Sequence, residues 1–216
     1  MSIRKICLTV VAATLVGACA SYEPSSAPVE PKTAFSLVEA EGFAAGADPY
    51  AKPEEYEPIF DADLEKSDVI ALHLLVENRR PSAVLVRPSD ISLILADGRA
   101  ISPSSSLKVA NKVGEDGSVI GSAIAFGLIG AIVASNAEEK ARAARIDDYN
   151  SKSLDTVDLN PGDSADGVVF FIPPKSWPAF DEAELSVRAI DKVEGTSAVV
   201  SVPLTGLNYI PGEPEE

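Results

Sequence analysis

Side chains able to do chemistry are few in this sequence: one His, His73, and two Cys, Cys7 and Cys19, in 216 residues. A zinc site takes three or four ligands drawn from Cys, His and carboxylates, and an acyl-transfer site takes a nucleophile with a base beside it. One imidazole and two thiols supply neither. His73 falls in the run Val69–Asn78, on the alternating face shared by Ala71 and Leu75, and reads as a satisfied core or edge residue. Asp61, Asp63, Glu65 and Asp68 have a carboxylate spacing that superficially resembles a calcium loop. Such a loop needs Gly at position six and a bidentate Glu at position twelve, where this chain has Lys66 and Leu72. The cluster reads as a solvated charged turn. Trp177, in Lys175-Ser-Trp-Pro-Ala-Phe180, is the only Trp and reads as a loop anchor with an apolar body and one N–H to satisfy. Gly-rich phosphate loops, nucleophile elbows and His-Glu metal motifs are missing from the sequence. The expectation is a protein with no catalytic residue, no metal and no cofactor.

The charge balance removes another class. Asp and Glu total 33 against 18 Lys and Arg, a formal net charge of −15. Nucleic acid and anionic lipid surfaces would repel such a chain, so no nucleic-acid partner is expected. With 46 % apolar residues, the length suits one folded domain plus tails.

Residues 1–18 have the layout of an export signal: Arg4 and Lys5, then the apolar run Ile6–Val16, then small residues. Eleven apolar residues are too few to span about 30 Å of hydrocarbon as a helix. The ending Val16-Gly17-Ala18-Cys19 resembles the lipobox of bacterial lipoproteins. That resemblance implies cleavage before Cys19, a diacylglycerol thioether on Cys19, and attachment to a membrane through that lipid. In that family an Asp after the Cys favours retention in the inner membrane; Ala20 and Ser21 stand here, so the implied place is the outer membrane, facing the periplasm. Cys7 leaves with the signal and Cys19 carries the lipid, so no disulfide is expected. Residues 19–34 are the lipidated Cys and a flexible tether containing Pro24, Pro28 and Pro31.

The domain that follows is read as two pieces, 35–103 and 154–207, with an insertion at 104–153. Most of 35–60 reads as irregular, because Pro49, Pro53 and Pro58 interrupt it. From Val69 the chain is apolar on both alternating faces, as in a central strand buried on both sides. Val84-Leu-Val86 and then Ile91, Leu93 and Leu95 follow, and Asp97-Gly98 marks a tight hairpin turn. Asn160-Pro161-Gly162-Asp163 is a turn leading into Val168–Ile172. Leu185, Val187 and Ala189, then Ala198, Val200, Val202 and Leu204, repeat with period two, with Pro203 on the outward set as on an edge strand. These short alternating strands predict a mainly β fold, an antiparallel β-sandwich of about seven strands. The strand ending Val76-Glu-Asn-Arg79 and the stretch Leu159, Pro161, Gly162, Ser164, Gly167, Phe170, Phe171, Pro173 resemble small Ig-like domains of bacterial envelope lipoproteins. The resemblance implies an interaction module and transfers no catalytic residue.

The centre of the insertion, GSVIGSAIAFGLIGAIVAS (117–135), has no charge. Gly117, Gly121 and Ala125 form one row at fourfold spacing; Ala123, Gly127 and Ala131 form a second, Gly130 and Ala134 a third. Such rows let helix backbones approach closely, as they do inside bilayers, and the pattern resembles a glycine zipper. Residues 118–135 would make about 27 Å of helix, short for a bilayer and long for a core helix. The segment is expected to be a glycine-rich helical hairpin or one long helix. Residues 208–216 read as an acidic disordered tail. Two functions are carried forward. The first is a lipid-anchored, non-catalytic structural or protein-interaction module with an envelope protein as partner. The second is a membrane-active protein whose segment 117–135 inserts in the bilayer and makes a homo-oligomer, as an assembly or pore element.

Overall fold

The run with apolar residues on both faces is an interior strand of a sheet with neighbours on either side and packing above and below. In the computed structural model, which describes residues 22, 24, 25, 29, 36–115, 139–177, 179–207 and 209, it is β3 (Ile70–Asn78). Together with β1 (Val38–Ala40), β2 (Phe43–Pro49) and β7 (Ser164–Phe171) it forms an antiparallel sheet in the order β1-β2-β3-β7. A second antiparallel sheet has the order β5-β4-β8-β9, with β6 also on β4; its strands are β4 (Val84–Leu95), β5 (Ala100–Ile101), β6 (Val157–Leu159), β8 (Ala183–Asp191) and β9 (Ser197–Leu204). The fold is therefore mainly β with two antiparallel sheets.

One apolar core joins the sheets. Phe43, Leu72, Leu74, Val76 and Phe171 come from the first, and Ile91, Leu93, Leu185, Val187 and Val200 from the second. Strand β4 merges the two short runs expected from the sequence. Its inward set changes from even to odd positions between Val86 and Ile91, where the register with β8 shifts. An odd number of steps would turn one half outward in a regular strand; the bulge restores both halves to the core. Arg87 and Asp90 close it with an ion pair of 2.6 Å. Gly98 and Gly162 sit at φ +82° and +83° in the two expected turns, a region that glycine enters without a Cβ clash. Pro203 lies on β9 at the end of its sheet order, where a missing N–H costs no ladder bond.

Asn78 ties the stretches that carried the Ig-like resemblance. Its side chain amide donates to the carbonyls of Ser82 and Leu159, both at 2.9 Å, its Oδ1 accepts from Arg80 N–H at 3.0 Å, and its own carbonyl accepts from Gly162 N–H at 2.7 Å. Gly167 has a different cause. A Cβ there would lie 2.7 Å from the Leu154 nitrogen, so only glycine lets residues 153–154 run against β7.

The stretch read as irregular is not. Residues 43–49 are β2, and Pro53–Phe60 is a helix, α1. Pro53 stands in its first turn, where no intrahelical N–H bond is lost, and the Glu55 carboxylate accepts from the N–H groups of Ala51 and Lys52 at 2.9 and 3.0 Å. The insertion supplies two more helices, α2 (Ser106–Glu115) and α3 (139–152). These helices and the outer face of the first sheet share a second core, which contains Phe60 of α1, Val109 of α2, Tyr149 of α3 and Phe170 of β7. The other face of β3 is covered in this way.

Candidate functional site: a helical layer that holds Tyr22

Helix α1 ends at Asp61, which takes the left-handed conformation at φ +46°. The last carbonyls of a helix have no partner in the helix itself and attract cations and donors. Here α3 supplies them: Lys152 Nζ donates to the Ile59 carbonyl at 2.6 Å, and Tyr149 Oη to the Phe60 carbonyl at 3.2 Å. Lys152 also pairs with Asp148 at 2.7 Å, both side chains being buried.

This buried pair receives Tyr22. Tyr22 is buried, and its hydroxyl donates to Asp148 Oδ2 at 2.5 Å. The Arg145 guanidinium lies over the Tyr22 ring, 4.8 Å from its centroid, an arrangement that the ring quadrupole favours. Ser25 donates to the Pro58 carbonyl, and Val29 packs against the same core. Burial pushes the Tyr22 phenol well above its ordinary range, and the negative Asp148 beside it pushes the same way. Burial likewise raises Tyr149, with Arg145 opposing.

Helices α2 and α3 run antiparallel. The hydroxyls of Ser106 and Ser153 meet at 2.8 Å at one end, and Arg142 donates to Asn111 Oδ1 at 2.6 Å nearer the other. Gly114 makes room for α3: its Cβ position would lie 2.7 Å from Arg145 Nη1. Arg145 therefore touches both Gly114 and the docked Tyr22.

The candidate residues from the sequence fare as follows. Cys19 and the row residues Gly117, Gly121, Ala125, Gly127, Gly130, Ala131 and Ala134 lie outside the described residues. His73 is buried on the outer face of β3 and its Nε2 is 2.9 Å from Asp166 Oδ2, with the Tyr50 ring stacked at 6.4 Å. In the acidic turn, Asp63 Oδ1 accepts from Lys66 N–H at 2.9 Å, and Asp68 lies 3.8 Å from Lys112 Nζ. Among the described residues no group of three His, Cys, Asp or Glu is placed to hold a metal ion, and no helix is long and apolar enough to cross a membrane. Trp177 packs on the inter-sheet core with Arg99 over its ring at 4.8 Å. Sequence reasoning missed Tyr22 and the Asp148–Lys152 pair. The i, i+4 spacing of that pair was a visible signal; its burial was not.

No protein-family model matches the chain, and no curated protein matches it. Solved structures similar to it include the yjhA protein from Bacillus subtilis, at 9 % identity over 78 % of this chain and 95 % of that chain with a TM-score of 0.39. Others are the ApaA protein from Bordetella pertussis (13 % identity, 82 % and 97 % covered, TM-score 0.35) and a FixG-related protein from Vibrio parahaemolyticus (8 %, 74 % and 94 %, TM-score 0.29). Likeness at these TM-scores says nothing about function.

Proposed function

We propose that this chain is a lipid-anchored protein of the bacterial outer membrane, facing the periplasm, and that it works as a non-catalytic structural or protein-interaction module with an Ig-like domain. The observation that carries this reading is the pairing of Val16-Gly17-Ala18-Cys19 with a docked Tyr22 only three residues later. Three residues of extended chain reach about 10 Å. A lipid on Cys19 would then hold the helical layer close to the bilayer, with the second sheet turned away and available to an envelope partner. The tether in this reading is much shorter than the composition of residues 19–34 suggests.

Labelling cells with an alkyne fatty acid tests the anchor. The wild-type chain takes the label and sediments with outer membrane; Cys19→Ser loses the label and is released. A labelled Cys19→Ser chain, or an unlabelled wild type, overturns the reading.

The second reading, insertion and oligomerisation of residues 117–135, is narrowed by the antiparallel packing of α2 and α3. Chain leaving α2 and entering α3 starts and finishes at the same end of the hairpin, so a membrane course would have to be re-entrant. Export of residues 20–216 behind a cleavable signal without a lipobox discriminates. Release into the soluble periplasm favours the lipid as sole anchor; retention after alkaline washing favours insertion.

A further inference from the structure

Where the two cores meet lies a cavity of 160 Å³, distinct from the site where Tyr22 docks. Its walls include Tyr50 at the end of β2, Tyr56 on α1, Glu65 and Asp68 in the turn before β3, and Leu207 and Tyr209 after β9. Backbone bonds fix each wall. Tyr50 N–H donates to the Ala71 carbonyl at 3.0 Å; Asp68 and Val69 N–H close the turn onto Glu65 and Leu64 at 3.0 and 2.9 Å; Tyr209 and Phe180 exchange two bonds of 2.8 and 2.9 Å.

Among the described residues the lining combines three tyrosines and two acids with aliphatic side chains and has no Lys or Arg. Lys112 approaches Asp68 from α2 at 3.8 Å without lining the cavity. Tyr209 is only 6 % exposed, and among the described residues its hydroxyl has no hydrogen-bond partner. A buried hydroxyl without a partner costs free energy that an arriving donor recovers. Burial raises the Tyr209 phenol, as does the charge of Asp68, and burial pushes Tyr56 up to about 12, so both stay neutral at physiological pH. A neutral phenol oxygen accepts a donated N–H.

We propose that this cavity binds a primary alkylammonium group. Its N–H donors go to the Glu65 and Asp68 carboxylates and the Tyr209 oxygen, while its carbon chain lies against Leu207 and the faces of Tyr50 and Tyr56. The two carboxylates attract a cation and repel an anion, and the tyrosine faces cover the apolar chain. A quaternary ammonium has no N–H to give Tyr209. The cavity's size limits the occupant to a short amine or a lysine side chain from another protein.

The test is a titration of residues 20–216 with n-butylammonium chloride at constant ionic strength, followed by the tyrosine ring resonances. Saturable shifts of Tyr50, Tyr56 and Tyr209 are expected, with tetramethylammonium weaker and butyrate inert. Tyr209→Phe keeps the ring and should weaken binding roughly tenfold, as loss of a bond to a charged donor does; Glu65→Gln, at an exposed position, should weaken it about fivefold. Nα-acetyl-lysine methylamide binding as well as butylammonium assigns the cavity to a protein lysine, and butylammonium alone assigns it to a free amine. Equal shifts with butanol or butyrate, no saturation, or unchanged affinity in both variants would overturn the proposal.

Discussion

Two cores share one sheet and are built from different side chains. Between the sheets the buried set is aliphatic apart from Phe43, Phe171 and Tyr209; beneath the helices it is organised round Tyr22, Tyr50, Tyr56, Phe60, Tyr149 and Phe170. Phe60 meets Tyr149 and Phe170 edge-on at 5.4 Å, while Tyr149 and Phe170 stack at 5.6 Å. Buried polar groups divide in the same way. Asp148, His73 and Ser106 belong to the helical side, whereas Asn78 and Asp191 sit at strand ends. An aliphatic core is satisfied by exclusion of water alone. A layer of phenols and charges depends on its polar atoms meeting partners, and so can be opened by removing one of them.

The largest effect is expected at the buried pair. Lys152→Met strands the Asp148 carboxylate and should cost about 3–5 kcal/mol, read by urea unfolding, while a second change, Asp148→Leu, should return much of the loss. Leu185→Ala, fully buried between the sheets, should cost about 2–5 kcal/mol through the cavity it leaves. The two variants differ in extent: the Leu185 variant destabilises strands and helices together, and the Lys152 variant loosens the helices first, visible as separated transitions by far-UV and near-UV circular dichroism. Tyr22→Phe removes only the hydroxyl given to Asp148 and should cost about 1.5–3 kcal/mol, the range for a bond to a charged group.

The pH dependence sharpens the contrast. Burial raises Tyr22, Tyr50 and Tyr149 in the folded chain. Their contribution is complete below the ordinary phenol pKa near 10 and is lost as pH rises through the raised values. Asp191 behaves oppositely. Ser82, the N–H groups of Glu194 and Val193, and Arg80 hold its carboxyl below the usual range, so its contribution is complete above that range and is lost as pH falls through the lowered value. Alkali should therefore open the helical layer first, and acid the strand-end corner at Asp191. Amide exchange at the two extremes checks the order.

The strands of the inter-sheet core could be read directly, because alternation is local: Leu185, Val187 and Ala189 announce their face whatever lies elsewhere. Turns were equally local, since Gly98 and Gly162 are needed for their own φ angles. β2 escaped notice because Phe43–Pro49 is rich in Ala and Gly, whose small side chains suit a crowded sheet and carry little strand signature. α1 was hidden by Pro53 and Pro58, although a proline in the first turn is compatible with a helix. The site for Tyr22 was invisible for another reason. Tyr22 and Asp148 are far apart in sequence, and nothing near Tyr22 distinguishes it from a tyrosine in a solvated linker.

The most direct measurement is amide hydrogen exchange on residues 20–216, compared with the same chain carrying Tyr22→Ala. If Tyr22 is bound by the helical layer, the substitution speeds exchange in α1 and α3 and leaves β8 and β9 unchanged. Identical exchange in α1 and α3 would mean that Tyr22 is not held there, and would contradict both the short tether and the membrane-proximal placing of the helices.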